Sequence, residues 1–282
     1  MKKWIIGIGI MVVFSAQAVV VDFTAAEGYS GTGTVQLWGD SLHAQTPTVG
    51  DWTESSWGSF AVDSSAGTVA LDGTVAYKSA VFNQGLASSE VYTIGAGFSF
   101  TRVENAILSA NQELLALDFT EVADTSGNRI AMQIRRPSWN SAKYQLSFYE
   151  NTGGANTSGT GTAADETDLG FGVGDDQSDD LWLGMTLTRG ADASSWTASG
   201  VIINLTTGTE VATYDAGTFD TSSAFFTDDL YGRMGSVKAD ADTQVSNRVI
   251  DTFEVTSIPE PATLGLIATV SAGLLFIRRF MI

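Results

Sequence analysis

Alternation of apolar and small or polar residues runs through several segments of this chain, and it constrains the fold more than any other feature. The period of two is clearest in 92–100, 129–135, 143–148 and 181–187. Because successive side chains of a strand point to opposite faces, each segment is expected to form a strand with one buried face, as in antiparallel sheets. No segment between the two termini has a strong helical period, so the sequence predicts an all-β protein.

Shorter alternating segments extend this pattern along the chain. They predict further strands at 68–71, 114–119, 201–205, 210–214 and 249–255. The Gly-, Thr- and Ser-rich stretch 151–162 reads as a long loop, and no repeat or linker divides the body. Many strands with hairpin spacing predict one antiparallel β-sandwich domain, which we place at 19–256.

The C-terminal tail has three parts in a fixed order. Pro259-Glu260-Pro261 precedes an apolar run over 262–277, and Arg278 and Arg279 follow it. A helix over this run spans about 24 Å, and the two arginines can reach the lipid headgroups to extend it. The sequence therefore predicts a transmembrane helix at 262–277, with its C-terminal end in the cytoplasm by the positive-inside rule.

This tail resembles the PEP-CTERM sorting domain of bacterial surface proteins, and the resemblance covers 257–282. It implies that an exosortase-like membrane enzyme recognises Pro259, Glu260, Pro261, Arg278 and Arg279 and removes the tail. It also implies that the inner membrane holds the chain only transiently, before transfer to the cell surface or an extracellular polysaccharide matrix.

The N-terminus carries the pattern of a secretory signal peptide over residues 1–18. Lys2 and Lys3 precede an apolar stretch, and Ala16 and Ala18 form a small-x-small cleavage site. We expect cleavage after Ala18 and export of the chain across the inner membrane.

The chain is acidic and lacks cysteine. Its formal net charge is −18, which disfavours nucleic acid as a partner because like charges repel. With Cys 0, the exported domain forms no disulfides, so core packing has to stabilise it.

A weaker resemblance concerns the body of the chain. The run 180–189, Trp196 and 200–214 are similar to the central strands of laminin-G or concanavalin A-like jelly rolls. The segment 247–255, with Asp251 and Phe253, is similar to their closing strand. The resemblance implies two curved sheets and, in many relatives, calcium-assisted carbohydrate binding, but it assigns no ligand-contacting residue.

Catalytic motifs are sparse. His43 is the sole histidine, and no Gly-x-Ser-x-Gly motif accompanies it, so a Ser-His-Asp triad is not expected. A glycosidase needs two carboxylates across a cleft, whereas the pair Glu121 and Asp124 would point to opposite faces of a strand. We therefore expect a protein that is not an enzyme and requires no cofactor.

Two groups of residues are candidates for ligand binding. Asp175, Asp176, Asp179 and Asp180 could supply the oxygen ligands that calcium prefers, although a solvated acidic loop explains them as well. Trp182 lies opposite the apolar face of its strand and could stack on a sugar ring, although most tryptophans of a sandwich fill its core.

These observations predict an exported, non-enzymatic cell-surface or matrix protein, sorted by an exosortase-like system and associated with exopolysaccharide. One alternative is a calcium-assisted carbohydrate-binding or adhesive module. A glycoside hydrolase is a further alternative, which the carboxylate spacing disfavours.

Overall fold

The computed structural model describes residues 17–33, 41–48, 51–55, 60–71, 78–86, 89–102, 113–123, 128–135, 143–152, 158–172, 176–190, 192, 194–221, 229–236 and 245–258. The strands in this part are β1 (Gln17–Val21), β2 (Trp52–Glu54), β3 (Phe60–Asp63), β4 (Thr68–Leu71), β5 (Lys78–Phe82), β6 (Val91–Arg102), β7 (Glu113–Thr120), β8 (Arg129–Arg135), β9 (Lys143–Asn151), β10 (Ser158–Asp165), β11 (Leu181–Arg189), β12 (Ser195–Asn204), β13 (Thr209–Asp220), β14 (Tyr231–Ser236) and β15 (Val245–Ile258). Short 3₁₀ helices cover Ala25–Glu27, Leu42–Ala44 and Glu166–Leu169.

The strands form two antiparallel sheets. The seven-stranded sheet has the order β10-β9-β8-β7-β14-β5-β2, and the eight-stranded sheet has the order β13-β12-β11-β6-β15-β4-β3, with β1 also paired to β15. The prediction of an all-β, antiparallel sandwich is confirmed.

The core lies between the inner faces of the two sheets, where the alternating apolar residues meet. Leu181, Leu183 and Leu187 are fully buried in the eight-stranded sheet, and Met132 and Phe148 are fully buried in the seven-stranded sheet. Aromatic rings pack at one end, where the centroid of Trp52 lies 5.0 Å from that of Phe82 and 5.1 Å from that of Phe253. These contacts replace the disulfides that the sequence lacks.

The first and last strands lie side by side. In the β1–β15 pair, Gln17 is opposite Ser257 and Val21 is opposite Phe253. The sheet therefore extends beyond the predicted domain limits of 19–256 at both ends. The predicted cleavage point after Ala18 falls inside β1, and Val19–Val21 would keep their partners on β15 after cleavage.

The remaining terminal predictions lie outside the described residues. These are the rest of the signal peptide (1–16), the sorting motif and the transmembrane helix at 262–277. Within the described part of the chain, no helix is both long and apolar enough to cross a membrane.

One predicted loop is partly a strand. The stretch 151–162 was expected to be irregular, but β10 begins at Ser158 and pairs with β9. Its residues 158–163 are small or polar and largely solvent-accessible, because β10 is the edge strand of its sheet. An edge strand buries little side-chain surface, so its sequence carries no apolar alternation for prediction to detect.

Candidate functional site

The outer face of the seven-stranded sheet is polar, and its central side chains are buried. Directly paired residues share a face, and the register aligns Arg233 with Asp118 and Ala131, and Ala116 with Gln133 and Ser147. We call this face the recess; its residues are Val81, Ala116, Asp118, Thr120, Arg129, Ala131, Gln133, Arg135, Lys143, Gln145, Ser147, Tyr149, Tyr231, Arg233 and Gly235. A flat open face would leave such side chains exposed, but the central ones are buried.

Small residues form the floor of the recess, and longer polar side chains surround them. Ala116 and Ala131 are fully buried, whereas Gln133, Gln145 and Ser147 are each 5% exposed. Within the part of the chain that the structure describes, neither amide nor the Ser147 hydroxyl forms a side-chain hydrogen bond. Amides and hydroxyls both donate and accept, so this group can bind a ligand rich in hydroxyls.

A buried ion pair anchors the recess. Arg233 Nε donates to Asp118 Oδ1 at 2.5 Å, and Nη2 donates to Oδ2 at 2.8 Å. Both side chains are almost completely buried, and the bidentate geometry fixes β14 against β7. The negative charge of Asp118 is therefore neutralised within the protein.

Arg129 lies at one end of the recess, beside two tyrosines. Its guanidinium carbon is 5.9 Å from the centroid of the Tyr149 ring. Its Nε is buried and has no acceptor among the described residues, although part of the side chain is exposed. Thr120 pairs directly with both Arg129 and Tyr231, and its buried hydroxyl also lacks a described partner.

Trp182 lies on the other sheet, on the non-core face of its strand as the alternating pattern predicts. It is on the outer face of the eight-stranded sheet, while Leu181 and Leu183 face the core. Its indole covers the paired glycines Gly95 and Gly184, since a Cβ at Gly95 would fall 2.1 Å from Trp182 Cζ2. One side of the ring therefore faces backbone, and the side chain as a whole is partly exposed.

Asp251 lies beside Trp182 on this outer face. Its carboxylate covers Gly97, the residue directly opposite Trp182. Burial raises the pKa of Asp251, and the negative charge of Asp180 raises it further. Strict alternation would put Asp251 on the face of Phe253 and Val255, but the β6–β15 register shifts at Asp251 and turns its side chain outward.

The predicted acidic calcium site is not assembled by the described residues. Asp175 lies outside them, and Asp179 Oδ2 accepts a hydrogen bond from Asn204 at 2.7 Å. Pairing of Gln177 with Thr101 holds the segment against β6, so its side chains diverge. Across the described ranges, no three His, Asp or Glu side chains, including those of Asp176 and Asp180, come close enough to hold a metal ion.

His43 lies in the 3₁₀ helix Leu42–Ala44, next to β2. It is exposed, and its Nδ1 is 3.1 Å from the carbonyl oxygen of Trp52. The neighbouring Ser41 hydroxyl donates to Glu54 at 2.8 Å, and burial raises the pKa of Glu54. The serine thus contacts a carboxylate directly, without an intervening imidazole.

The recess was missed at the level of sequence, although its signal was present. Residues 129–135 alternate apolar positions with Arg129, Ala131, Gln133 and Arg135. Long polar side chains on the non-core side of β8 distinguish the outer face of its sheet from that of the other sheet, where Thr, Ser and Gly dominate. That contrast becomes informative only when the strands are placed next to each other.

No protein-family model matches the sequence, and no curated protein sequence matches it. Solved structures resemble the fold at low similarity. Winged bean acidic lectin complexed with methyl-alpha-D-galactose has a TM-score of 0.48 and 9% identity, covering 87% of this chain and 100% of that chain. The exoplasmic/lumenal domain of VIP36 in a Ca²⁺/Man-bound form has a TM-score of 0.48 and 12% identity, covering 76% of this chain and 85% of that chain.

An enzyme also appears among the similar structures. GH43B from a xyloglucan utilisation locus of Bacteroides ovatus has a TM-score of 0.46 and 13% identity, covering 90% of this chain and 42% of that chain. At these identities no residue of this chain is equated with a ligand-binding or catalytic residue of those proteins.

Proposed function

We propose that this chain is an exported, non-enzymatic protein of the bacterial cell surface or matrix that binds polysaccharide in the recess, on a jelly-roll, concanavalin A-like scaffold. The proposal depends on the side chains of Gln133, Gln145 and Ser147, which lie above small residues and form no side-chain hydrogen bond to another described residue. Sugar hydroxyls need donors and acceptors together, and these side chains supply both. The recess runs along strands, so it suits an extended polymer.

The state of Asp118 supports binding without hydrolysis. A glycosidase uses one carboxyl group as an acid and a second as a nucleophile or base. Asp118 lies at the centre of the recess, and both of its oxygens accept hydrogen bonds from Arg233. Both carboxylate oxygens of Asp118 are therefore committed to the ion pair.

Glutamine substitution tests the binding proposal directly. We expect the double variant Q133A/Q145A to lose at least about tenfold in affinity for a polysaccharide that the unaltered protein binds, because two hydrogen-bonding groups are lost. The full-length chain would be purified in a non-glycosidic detergent and screened on a glycan array, with T188A on the opposite sheet as the control. Unchanged binding by Q133A/Q145A would place the ligand elsewhere.

We also propose export by the signal peptide and sorting by an exosortase-like enzyme. The order of Pro259-Glu260-Pro261, the apolar run and the two arginines supports this. Replacing Pro259, Glu260 and Pro261 by alanine should retain the tail in the mature protein, as read from its intact mass. T206A, in an exposed turn, is the control, and normal processing of the triple variant would refute the sorting proposal.

A second candidate function is a specific adhesive module that binds sugar on Trp182 with the help of calcium. The indole that covers Gly95 and Gly184, next to Asp251, favours it as a rigid stacking surface. In that case W182A would abolish glycan binding while Q133A/Q145A would not, and chelation of calcium would have the same effect as W182A.

A further inference from the structure

We infer that the recess selects an acidic polysaccharide and that Arg129 binds an anionic group on the polymer. This inference rests on the proposed function, since it assigns a ligand class to the same recess. It follows from the charges on this face and from their pairing.

Arg129 is held in place without being neutralised. The Tyr149 ring lies 5.9 Å from its guanidinium carbon, a contact that orients the cation and leaves its charge intact. Its buried Nε has no acceptor among the described residues. A partly desolvated cation without a counter-ion binds an anion strongly, because folding has already removed much of its water before the anion arrives.

The other cations of the recess have partners, with one exception. Arg233 pairs with Asp118, and Lys143 Nζ lies 2.8 Å from Asp165 Oδ1. Arg135, at the opposite end of β8, has a buried Nε that lacks an acceptor in the described part of the chain. Arg129 and Arg135 are about 20 Å apart along the strand. The register places Glu113 opposite Arg135, whereas Arg129 lies between Thr120 and Asn151, so Arg129 is the one of the two with no carboxylate directly across from it.

This local charge contrasts with that of the whole chain, whose formal net charge is −18. An acidic polymer would be repelled at long range, so affinity has to come from contacts at short distance. An arginine with a planar fork of donors suits a carboxylate or a sulfate, both of which occur on acidic polysaccharides.

Thr120 adds a second donor next to Arg129. The two residues are directly opposite each other on β7 and β8, and the Thr120 hydroxyl has no described partner. Thr120 is fully buried, so its hydroxyl is closed to a ligand in this conformation. The primary contact is therefore the guanidinium of Arg129.

The test compares polymers that differ in charge alone. Binding of the full-length chain in non-glycosidic detergent is measured for polygalacturonate, its methyl ester, dextran sulfate and dextran, at about 0.15 M salt. We expect polygalacturonate or dextran sulfate to bind at least about tenfold more tightly than its neutral counterpart. The acidic polymer that shows this difference identifies the anionic group bound by Arg129 as a carboxylate or a sulfate.

Variants connect this preference to Arg129. R129Q should weaken binding of the acidic polymer about tenfold or more, R129K should retain part of it, and R189Q on the other sheet should stay within about twofold. R189Q removes the same charge outside the recess, so it controls for net charge. The thermal midpoint of each variant is measured in parallel, and R135Q serves as a second variant if R129Q is destabilised.

The outcomes separate the two proposals. If charged and neutral polymers bind equally and Q133A/Q145A loses this binding, the acidic preference is overturned. The proposal that the recess binds polysaccharide is then retained. An equal loss in R129Q and R189Q also overturns it, because the effect would then reflect net charge. Failure of the unaltered protein to bind any of the four polymers counts against both proposals.

Discussion

Asp118 and Arg233 form a bidentate ion pair that is almost completely removed from water, with Nε–Oδ1 and Nη2–Oδ2 distances of 2.5 and 2.8 Å. Breaking such a pair leaves an uncompensated charge in a buried position. We therefore expect D118N to lower the free energy of unfolding by about 3–5 kcal/mol, measured by urea denaturation. The control is D165N, which removes the partner of Lys143 in a more exposed pair. It should lower the free energy of unfolding by no more than about 1 kcal/mol. Similar losses in the two variants would contradict this account.

The contact between Trp182 and Gly95 predicts a coupled pair of substitutions. A methyl group at Gly95 would lie 2.1 Å from Trp182 Cζ2, so G95A has to displace the indole. We expect a loss of about 1–3 kcal/mol, together with a change in tryptophan fluorescence. In the background of W182A the same substitution should cost much less, because the obstructing ring is gone. Additive effects in this double-mutant cycle would show that the two residues act independently.

Asp251 predicts a dependence of stability on pH. Burial and then Asp180 raise the pKa of Asp251 above its ordinary value of 3.8. The folded state thus binds this proton more tightly than the unfolded chain, so the group stabilises the fold at low pH. That contribution is lost as the pH rises through the folded pKa. The stability of D251N relative to the unaltered protein should therefore increase between pH 4.5 and 8, as measured by urea denaturation.

The control for this pH dependence is D180N. It removes one cause of the raised pKa of Asp251 and should reduce the effect without abolishing it. A difference between D251N and the unaltered protein that stays constant over this range would refute the assignment to Asp251.

The pairing of β1 with β15 predicts opposite outcomes for adjacent valines. Val21 is 2% exposed and faces the core, whereas Val20 is 50% exposed. V21D should lower the free energy of unfolding by about 3 kcal/mol, because it buries a carboxylate without a partner. V20D should change stability by about 0.5 kcal/mol or less, measured in the same way. Equal effects would mean that β1 does not pair in this register.

The sequence predicted strands most accurately where one face is buried and the other is polar. Residues 129–135 were predicted as a strand and form β8 with the same limits. Short strands such as β2 (Trp52–Glu54) were missed, because three residues are too few to reveal a period of two. The edge strand β10 was missed because it packs against little.

Candidate sites are harder to predict than strands, because a site depends on neighbours that are distant in sequence. Asp175, Asp176, Asp179 and Asp180 are adjacent in the chain, yet Asp179 is engaged by Asn204. Conversely, Arg233 and Asp118 are 115 positions apart and meet in one ion pair. The calcium site at these four aspartates therefore stays a prediction, and separation along the chain concealed the recess.

The sequence by itself determined the all-β class, the core-facing side of each long strand and the outward position of Trp182, because a strand's side-chain alternation is a local property. The tertiary structure decided which strands are neighbours and which polar side chains share a face. It placed Arg129, Gln133 and Gln145 on one face of the seven-stranded sheet and Trp182 on the other sheet. Register between distant strands depends on packing of the whole core, so no local pattern could have shown that the polar residues of β7, β8, β9 and β14 form one recess.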